Sequence, residues 1–307
     1  MSASYGKGVA AILFAACVWG TTGTAATFAP DVSAAAIGAA AMGIGGIAQA
    51  LLAVRGINRA APALWADRTL LVAGALAVAI YPLAFYGAMR LAGVTVGTVV
   101  TIGSAPLLSA LIEYAFDKTR LSLRWGISAA VGLLGMTLIC LAEQLPDTPL
   151  DKGHDTIIGI LLGILGGLTY GLYAWSARRM MLRGLPSSVA MGATFGLGGV
   201  LLMPVLLGTG GAFLMSWSNA AVGLYMAAVP MFLGYLCFGY GLAHVEASTA
   251  TTITLLEPVI AAILAILVVG EHLPPLGWVG VALVVGCLTL LTLPPGSADR
   301  KAEPPPS

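Results

Sequence analysis

Residues 95–121 read TVGTVVTIGSAPLLSALIEYAFDKTRL, and residues 247–273 read ASTATTITLLEPVIAAILAILVVGEHL. Both stretches carry hydroxyl side chains at three-residue steps, followed by a proline. The corresponding residues are Thr98 and Thr251, Thr101 and Thr254 and, after one residue of slippage, Pro106 and Pro258. Self-similarity of this kind predicts that the chain contains two copies of one structural unit.

The composition excludes a water-soluble globular protein. Of the 307 residues, 59% are hydrophobic and 9% are charged, whereas soluble domains carry about 25% charged residues. The formal net charge of +1 provides no basic field that could recruit nucleic acid. We therefore predict a membrane protein that has the lipid bilayer as its partner and binds no nucleic acid.

Ten apolar runs are long enough to cross a bilayer, which requires about 20 apolar residues per helix. They lie at Gly8–Phe28, Val32–Val54, Thr69–Met89, Val94–Phe116, Trp125–Leu141, Thr156–Ala177, Ser187–Leu207, Asn219–Leu242, Ala247–Val269 and Leu276–Leu293. The predicted fold class is an all-α integral membrane protein with ten transmembrane helices.

Twelve of the fourteen Lys and Arg residues fall on one side of this arrangement. The other side carries Arg90, Lys152 and an acidic linker at residues 143–155. Since basic loops remain in the cytoplasm, we predict cytoplasmic termini, an external linker and a multi-pass location in a bacterial inner membrane. The tail at residues 294–307 is rich in proline and charge, which predicts a disordered cytoplasmic segment.

The predicted copies are residues 8–142 and 156–293, with five helices each. An odd number of crossings makes the second copy enter the membrane from the opposite side. Two inverted repeats of this kind are typical of secondary transporters. We therefore expect the two copies to expose a central cavity to each side of the membrane in turn.

Several short motifs resemble a known family. They are Trp19-Gly20 in helix 1, Leu256-Glu257-Pro258-Val259 in helix 9, Gly270-Glu271 after it, and a Gly-rich last helix. Together with the repeat, they make residues 8–293 similar to the drug/metabolite transporter superfamily, in its ten-helix EamA-type branch. The first half departs from these motifs, with Ala105-Pro106 and Asp117-Lys118 at the matching places. Within the branch the chain looks most like bacterial amino-acid exporters of the YddG type, which implies export of small metabolites.

Glu257 is the candidate for substrate or proton binding, because an ionisable side chain at membrane depth is costly and usually functional. The alternative is a protonated side chain that satisfies the backbone next to Pro258. We expect kinks at four prolines within helices, namely Pro82, Pro106, Pro230 and Pro258. Glu113 lies near Lys118 and Arg120 in the sequence, which favours an ion pair at the membrane interface.

Hydroxyl and aromatic side chains are the other candidates for the substrate site. Thr98, Thr101 and Thr254 either line a cavity or bond to their own helices. Trp19 and Tyr81 lie too deep for an interfacial belt, so they either bind substrate through their ring faces or pack helices.

The chain lacks motifs for catalytic residues, a metal or a cofactor, so we predict no enzyme activity and none of these groups. The absence of basic residues at mid-membrane disfavours phosphorylated substrates. The hydroxyl stripes favour amino acids, both aromatic or hydrophobic and small polar ones, and the family resemblance favours them too. Organic-cation or multidrug efflux is the alternative. Without an ATP-binding segment, the energy must come from a gradient. The oligomeric state stays open.

Overall fold

The computed structural model describes residues 3–119, 121–143, 153–270 and 272–292. Over these residues every regular element is helical. Arg120, Glu271, most of the predicted acidic linker and the predicted tail lie outside the described residues.

The first half contains five long helices and two short ones. They are α1 (Ala3–Trp19), α2 (Thr22–Ala26), α3 (Ala34–Arg59), α4 (Ala61–Ala66), α5 (Arg68–Ala92), α6 (Val94–Asp117) and α7 (Leu123–Glu143). The first predicted span is interrupted after Trp19, and α2 continues it. Pro82 and Pro106 lie inside α5 and α6, each of which is a single helix.

The second half is more interrupted. Its helices are α8 (Gly153–Leu182), α9 (Ser187–Thr209), α10 (Trp217–Met226), α11 (Tyr235–Leu242), α12 (Ala247–Ile253), α13 (Leu256–Leu264) and α14 (Pro275–Thr292). A π-helical segment that contains Pro230, Ala227–Gly234, joins α10 to α11. Helix 9 breaks between α12 and α13, directly before Glu257 and Pro258, and ends in a second π-helical segment, Ala265–Val269.

The prediction of a ten-helix, all-α membrane protein is confirmed. Nine helical stretches within the described residues are long and apolar enough to cross a membrane, and the shorter apolar helix Pro275–Leu291 is the tenth. The predicted spans overlap these helices, with ends that differ by a few residues. Helices α1, α3 and α8 extend beyond the predicted spans, to Ala3, Arg59 and Leu182.

The helices of the two halves pack in corresponding pairs. The second helix of each half packs against its equivalent, α3 on α9, and the fifth does the same, α7 on α14. Likewise, α5 packs on α8 as α11 packs on α1. Small residues bring these helices close together: a Cβ atom added to Gly280 of α14 would lie 2.5 Å from the backbone oxygen of Gly135 in α7.

The ends of helices 4 and 9 also correspond. Lys118 ends α6 with a positive φ of 58°, and Gly270 ends helix 9 with a φ of 82°. The same one-residue slip that aligns Pro106 with Pro258 aligns these two C-caps. The left-handed cap is unfavourable for Lys118, which has a Cβ atom, but it satisfies the end of the helix.

One face of the helix bundle collects the basic helix ends, as the charge pattern predicts. We call it the basic face, and it carries Arg68, Lys118, Arg124, Arg178, Arg179 and Arg183. Asp117 forms an ion pair with Arg179 and accepts a hydrogen bond from Trp175 Nε1 at 2.6 Å. Arg183 pairs with Asp67. These contacts tie the ends of α6, α8 and α5 together.

Candidate functional site

A cavity of about 990 Å³ lies between the two halves and reaches the face opposite the basic face. At its mouth are the helix ends at Thr22, Ser33, Arg90 and Thr209. Deeper in the membrane its walls come from α1, α5, α6 and α13. The cavity thus lies where helices from both halves meet.

A smaller pocket of about 50 Å³ continues from this cavity and shares several of its lining residues. Trp19, Phe85, Tyr86 and Glu257 line both. The pocket is additionally lined by aromatic side chains, among them Tyr81, Tyr170 and Tyr235.

Buried aromatic rings close the path below this pocket. Tyr173 and Phe238 are 0% exposed, and the hydroxyl groups of Tyr173 and Tyr235 lie 2.8 Å apart. The rings of Phe195 and Tyr235 have centroids 4.4 Å apart. Packed rings of this size exclude water and solute, so the cavity is closed toward the basic face.

Trp19 forms part of the wall and is held from two directions. Its Nε1 donates a hydrogen bond of 2.9 Å to the carbonyl oxygen of Pro230 in the π-helical segment. Its ring packs against Tyr235 and Phe238, with centroids 4.6 Å and 5.2 Å away. The position of the indole therefore depends directly on the position of helix 8. The sequence alone does not predict this contact.

Glu257 is the single acidic residue among the described residues that line the cavity. It lies in the first turn of α13, just after the break in helix 9. Its carboxyl group makes no hydrogen bond or ion pair with any residue that the structure describes. A side chain that satisfied the broken backbone would have such a bond, so the carboxylate is available to a bound cation or ammonium group.

Arg90 lines the same cavity and was missed as a site residue. The sequence places it near the end of a predicted span, where it was counted as a loop charge. The structure puts it in the last turn of α5, one turn beyond Tyr86. Its guanidinium makes no hydrogen bond or ion pair with any residue that the structure describes, so the cavity carries two unpaired ionisable groups of opposite sign, Glu257 on its wall and Arg90 at its mouth.

The predicted hydroxyl residues separate into two groups. Thr98 lines the cavity. Thr101 is 0% exposed and packs against Gly163 and Gly166 of α8, so it lies at a helix interface instead. Thr254 is also buried, where its hydroxyl lies 2.9 Å from that of Tyr170. The structure brings Trp19, Tyr81, Thr98 and Glu257 to the two cavities and leaves Thr101 and Thr254 outside them.

Glu113 does not form the expected ion pair with Lys118, and its other expected neighbour, Arg120, lies outside the described residues. Glu113 is 3% exposed, and its Oε1 and Oε2 accept hydrogen bonds from the backbone N–H groups of Ala247 and Ser248, at 2.7 Å and 3.2 Å. These are the first two residues of α12. Sequence neighbours suggested a basic partner, whereas the tertiary fold supplies the positive end of a helix.

Comparison with known proteins places this chain in a transporter family. A profile of the EamA-like transporter family matches residues 6–141 and again residues 157–293. The chain is 31% identical to the uncharacterized transporter YwfM of Bacillus subtilis, over 92% of this chain and 93% of that protein. It is 24% identical to a probable terminal-alkyne amino-acid exporter of Streptantibioticus cattleyicolor, over 94% and 97% of the two chains.

A solved crystal structure shares the fold, with a TM-score of 0.75 at 19% sequence identity over 97% of this chain and 99% of the other. The family profile covers both halves of the described helix bundle, and the relatives are transporters rather than enzymes. The chain is a multi-pass membrane protein that belongs to the EamA-like transporter family.

Proposed function

We propose that this chain is a secondary transporter that exports amino acids by alternating access of two inverted five-helix repeats, residues 8–142 and 156–293. The observation that carries the proposal is the cavity wall, where Glu257 and Arg90 are unpaired and opposite in charge. Glu257 lines both the cavity and the inner pocket, and Arg90 lies at the cavity mouth, so each offers a site for one of the two charged groups of a zwitterion.

The rest of the wall fits the apolar part of such a substrate. Trp19, Tyr81, Phe85 and Tyr86 offer ring faces next to Glu257. These rings can pack an aromatic or aliphatic side chain, and their faces attract an ammonium group. Thr98 adds a hydroxyl for a polar substrate.

An export direction rests on the similarity to exporters, whereas the orientation of the chain gives the side of the membrane on which the cavity opens. With the basic face in the cytoplasm, both termini are cytoplasmic and the cavity opens to the outside of a bacterial inner membrane. The probable amino-acid exporter that covers almost the whole chain supports the same direction and substrate class. For the cavity to bind a substrate from the cytoplasm, the packed aromatic rings below the inner pocket must separate and the outer mouth of the cavity must close.

Organic-cation efflux is the second candidate, because Glu257 and the aromatic rings alone would suffice for a lipophilic cation. Arg90 argues against it. An unpaired guanidinium in the cavity repels a cation and attracts a substrate that carries a carboxylate group.

The test is counterflow in proteoliposomes loaded with unlabelled amino acids such as Thr, Met or Phe, with an organic cation in parallel. We expect uptake of labelled amino acid driven by amino acids alone. Glu257→Gln should lower that exchange at least tenfold, since hydrogen bonds to charged groups contribute about 1.5–3 kcal/mol. Asp31→Asn, the same change at an exposed residue outside the cavity, is the matched control. Exchange of the cation alone, or an unaffected Glu257→Gln variant, would contradict the proposal.

A further inference from the structure

On the basic face, a single buried carboxylate joins helix 4 to helix 9. Glu113 of α6 accepts hydrogen bonds from the first two backbone N–H groups of α12, at 2.7 Å and 3.2 Å. Glu246, the residue before this helix, provides no side-chain cap. Glu113 therefore supplies the cap from another helix, where a negative charge is favoured by both the free N–H groups and the helix dipole.

We infer that Glu113 is a latch that holds the basic face closed and biases the transporter toward the state in which its cavity opens at the opposite face. This inference rests on the proposed alternating access. The bond crosses from the first repeat to the second, so the two repeats cannot separate at this face while it is intact.

The opposite face shows the separation of helices that the latch prevents at the basic face. On the basic face, the C-terminal half of α6 packs against α12. On the opposite face, the cavity separates the equivalent halves: Thr98 and Ile102 of α6 line one wall, and Glu257 and Ala261 of α13 line another. In the alternate state these halves must approach each other while α6 and α12 part.

The second repeat has no counterpart of Glu113. The register that aligns Pro106 with Pro258 and Lys118 with Gly270 places Ala265 at the position of Glu113. The helix start that Ala265 would have to cap is that of α6, whose N-cap is Gly93 and has no side-chain hydrogen bond. Closing the opposite face thus gains no equivalent charge-assisted bond, although the two repeats are otherwise related.

The surroundings fit a bond that can break and re-form. Arg178 of α8 donates to the backbone oxygen of Leu242 at 3.1 Å, close to the start of α12. Glu113 forms no ion pair with a described residue. Release of the latch therefore exposes a carboxylate next to a basic surface and water, without separating a buried ion pair.

The experiment measures accessibility without any substrate, so its outcome does not depend on what is transported. Two reporters are placed separately in a variant with Cys17, Cys140, Cys237 and Cys287 changed to Ala. Ser109→Cys reports on the interface of α6 and α12, where Ser109 is 0% exposed and its Oγ lies 3.4 Å from Thr251 Oγ1. Thr98→Cys reports on the cavity. A membrane-impermeant maleimide is added from each side of sealed vesicles.

Glu113→Ala should raise the labelling rate of the Ser109→Cys reporter from the basic face about tenfold, the equivalent of about 1.4 kcal/mol. Labelling of Thr98→Cys from the opposite face should fall. Glu113→Gln should give a smaller shift in the same direction, because an amide oxygen accepts a hydrogen bond without the charge. Tyr114→Phe changes the exposed neighbour of Glu113 in α6 and adds or removes no charge, so it should leave both rates unchanged.

Ala265→Glu provides the reverse test, with Glu113 intact. A carboxylate at this position should cap α6 when the opposite face closes, and so raise labelling at the basic face and lower it in the cavity. If Glu113→Ala fails to fold, the labelling rates of Ala265→Glu and Glu113→Gln still test the inference. Unchanged labelling in Glu113→Gln and Ala265→Glu would overturn the latch and leave Glu113 a static helix cap, whether or not amino acids are exchanged.

Discussion

Gly234→Ala is a test of how the cavity wall is held. An added Cβ atom would lie 2.7 Å from Trp19 Nε1 and 3.2 Å from its Cδ1. The indole cannot move away easily, because Trp19 is 4% exposed and its ring is packed on Tyr235 and Phe238. The substitution should therefore break the hydrogen bond from Nε1 to the Pro230 oxygen.

The expected magnitude follows from these contacts. A buried donor left without a partner costs about 1–3 kcal/mol, and overpacking a close-packed interface costs about 1–3 kcal/mol more. The free energy of unfolding should thus fall by about 2–6 kcal/mol. Because Trp19 lines both the cavity and the inner pocket, the apparent affinity for substrate should fall too.

A double-mutant cycle with Trp19→Phe assigns the effect to this contact. Phenylalanine is smaller and has no N–H group to lose, so Gly234→Ala should cost less than about 1 kcal/mol in that background. Unfolding by SDS titration and counterflow measure the two effects. Gly286→Ala, where an added Cβ atom meets nothing within 4 Å, is the control. If the losses in the free energy of unfolding caused by Gly234→Ala and Trp19→Phe were additive, the inferred contact between Gly234 and the Trp19 indole would be refuted.

Five further substitutions, at four positions, test other parts of the account. Arg90→Gln should raise the apparent KM for amino acids several-fold in counterflow, and Arg90→Lys should restore part of the loss; equal KM values would remove Arg90 from the site. Gly280→Ala should lower the free energy of unfolding by about 1–3 kcal/mol, because the added methyl group would lie 2.5 Å from a backbone oxygen. A loss as small as that of Gly286→Ala would contradict the close crossing of α7 and α14. Thr101→Val should keep or raise the free energy of unfolding, because the buried Thr101 hydroxyl has no hydrogen-bond partner among the described residues. Thr98→Val should instead change the KM for substrate, and the opposite pattern would reverse the placement of the two residues.

The number and order of the helices were largely predictable from the sequence, because apolar runs mark the spans and charge alternation and repeated residues support their order. The alignment of Pro106 with Pro258 already contained a one-residue slip. In the structure, the break in helix 9 lies at that slip, while α6 remains one helix. The slip therefore marks where the second repeat departs from regular helix.

The site was only partly predictable. Glu257 and Trp19 stood out because polar and aromatic side chains at membrane depth are unusual. Thr101 and Thr254 belong to the same hydroxyl stripes as Thr98, and nothing in their spacing tells a helix interface from a cavity wall. The distinction depends on which neighbouring helix covers each residue, which is a tertiary property.

Glu113 and Arg90 escaped sequence analysis for related physical reasons. The partners of Glu113 are backbone N–H groups, which have no signature in the sequence. Arg90 ends a span, where a basic residue is usually an interfacial anchor. Its position on the cavity wall depends on the direction in which the last turn of α5 faces.

The central claim is that the cavity selects molecules that carry both charges. Counterflow of labelled phenylalanine, with excess phenylalanine, its decarboxylated amine or its deaminated acid on the other side of the membrane, tests this claim most directly. The account predicts that phenylalanine alone drives exchange, because the amine leaves Arg90 unmatched and the acid leaves Glu257 unmatched. Exchange driven equally well by the amine would contradict it and would support organic-cation efflux.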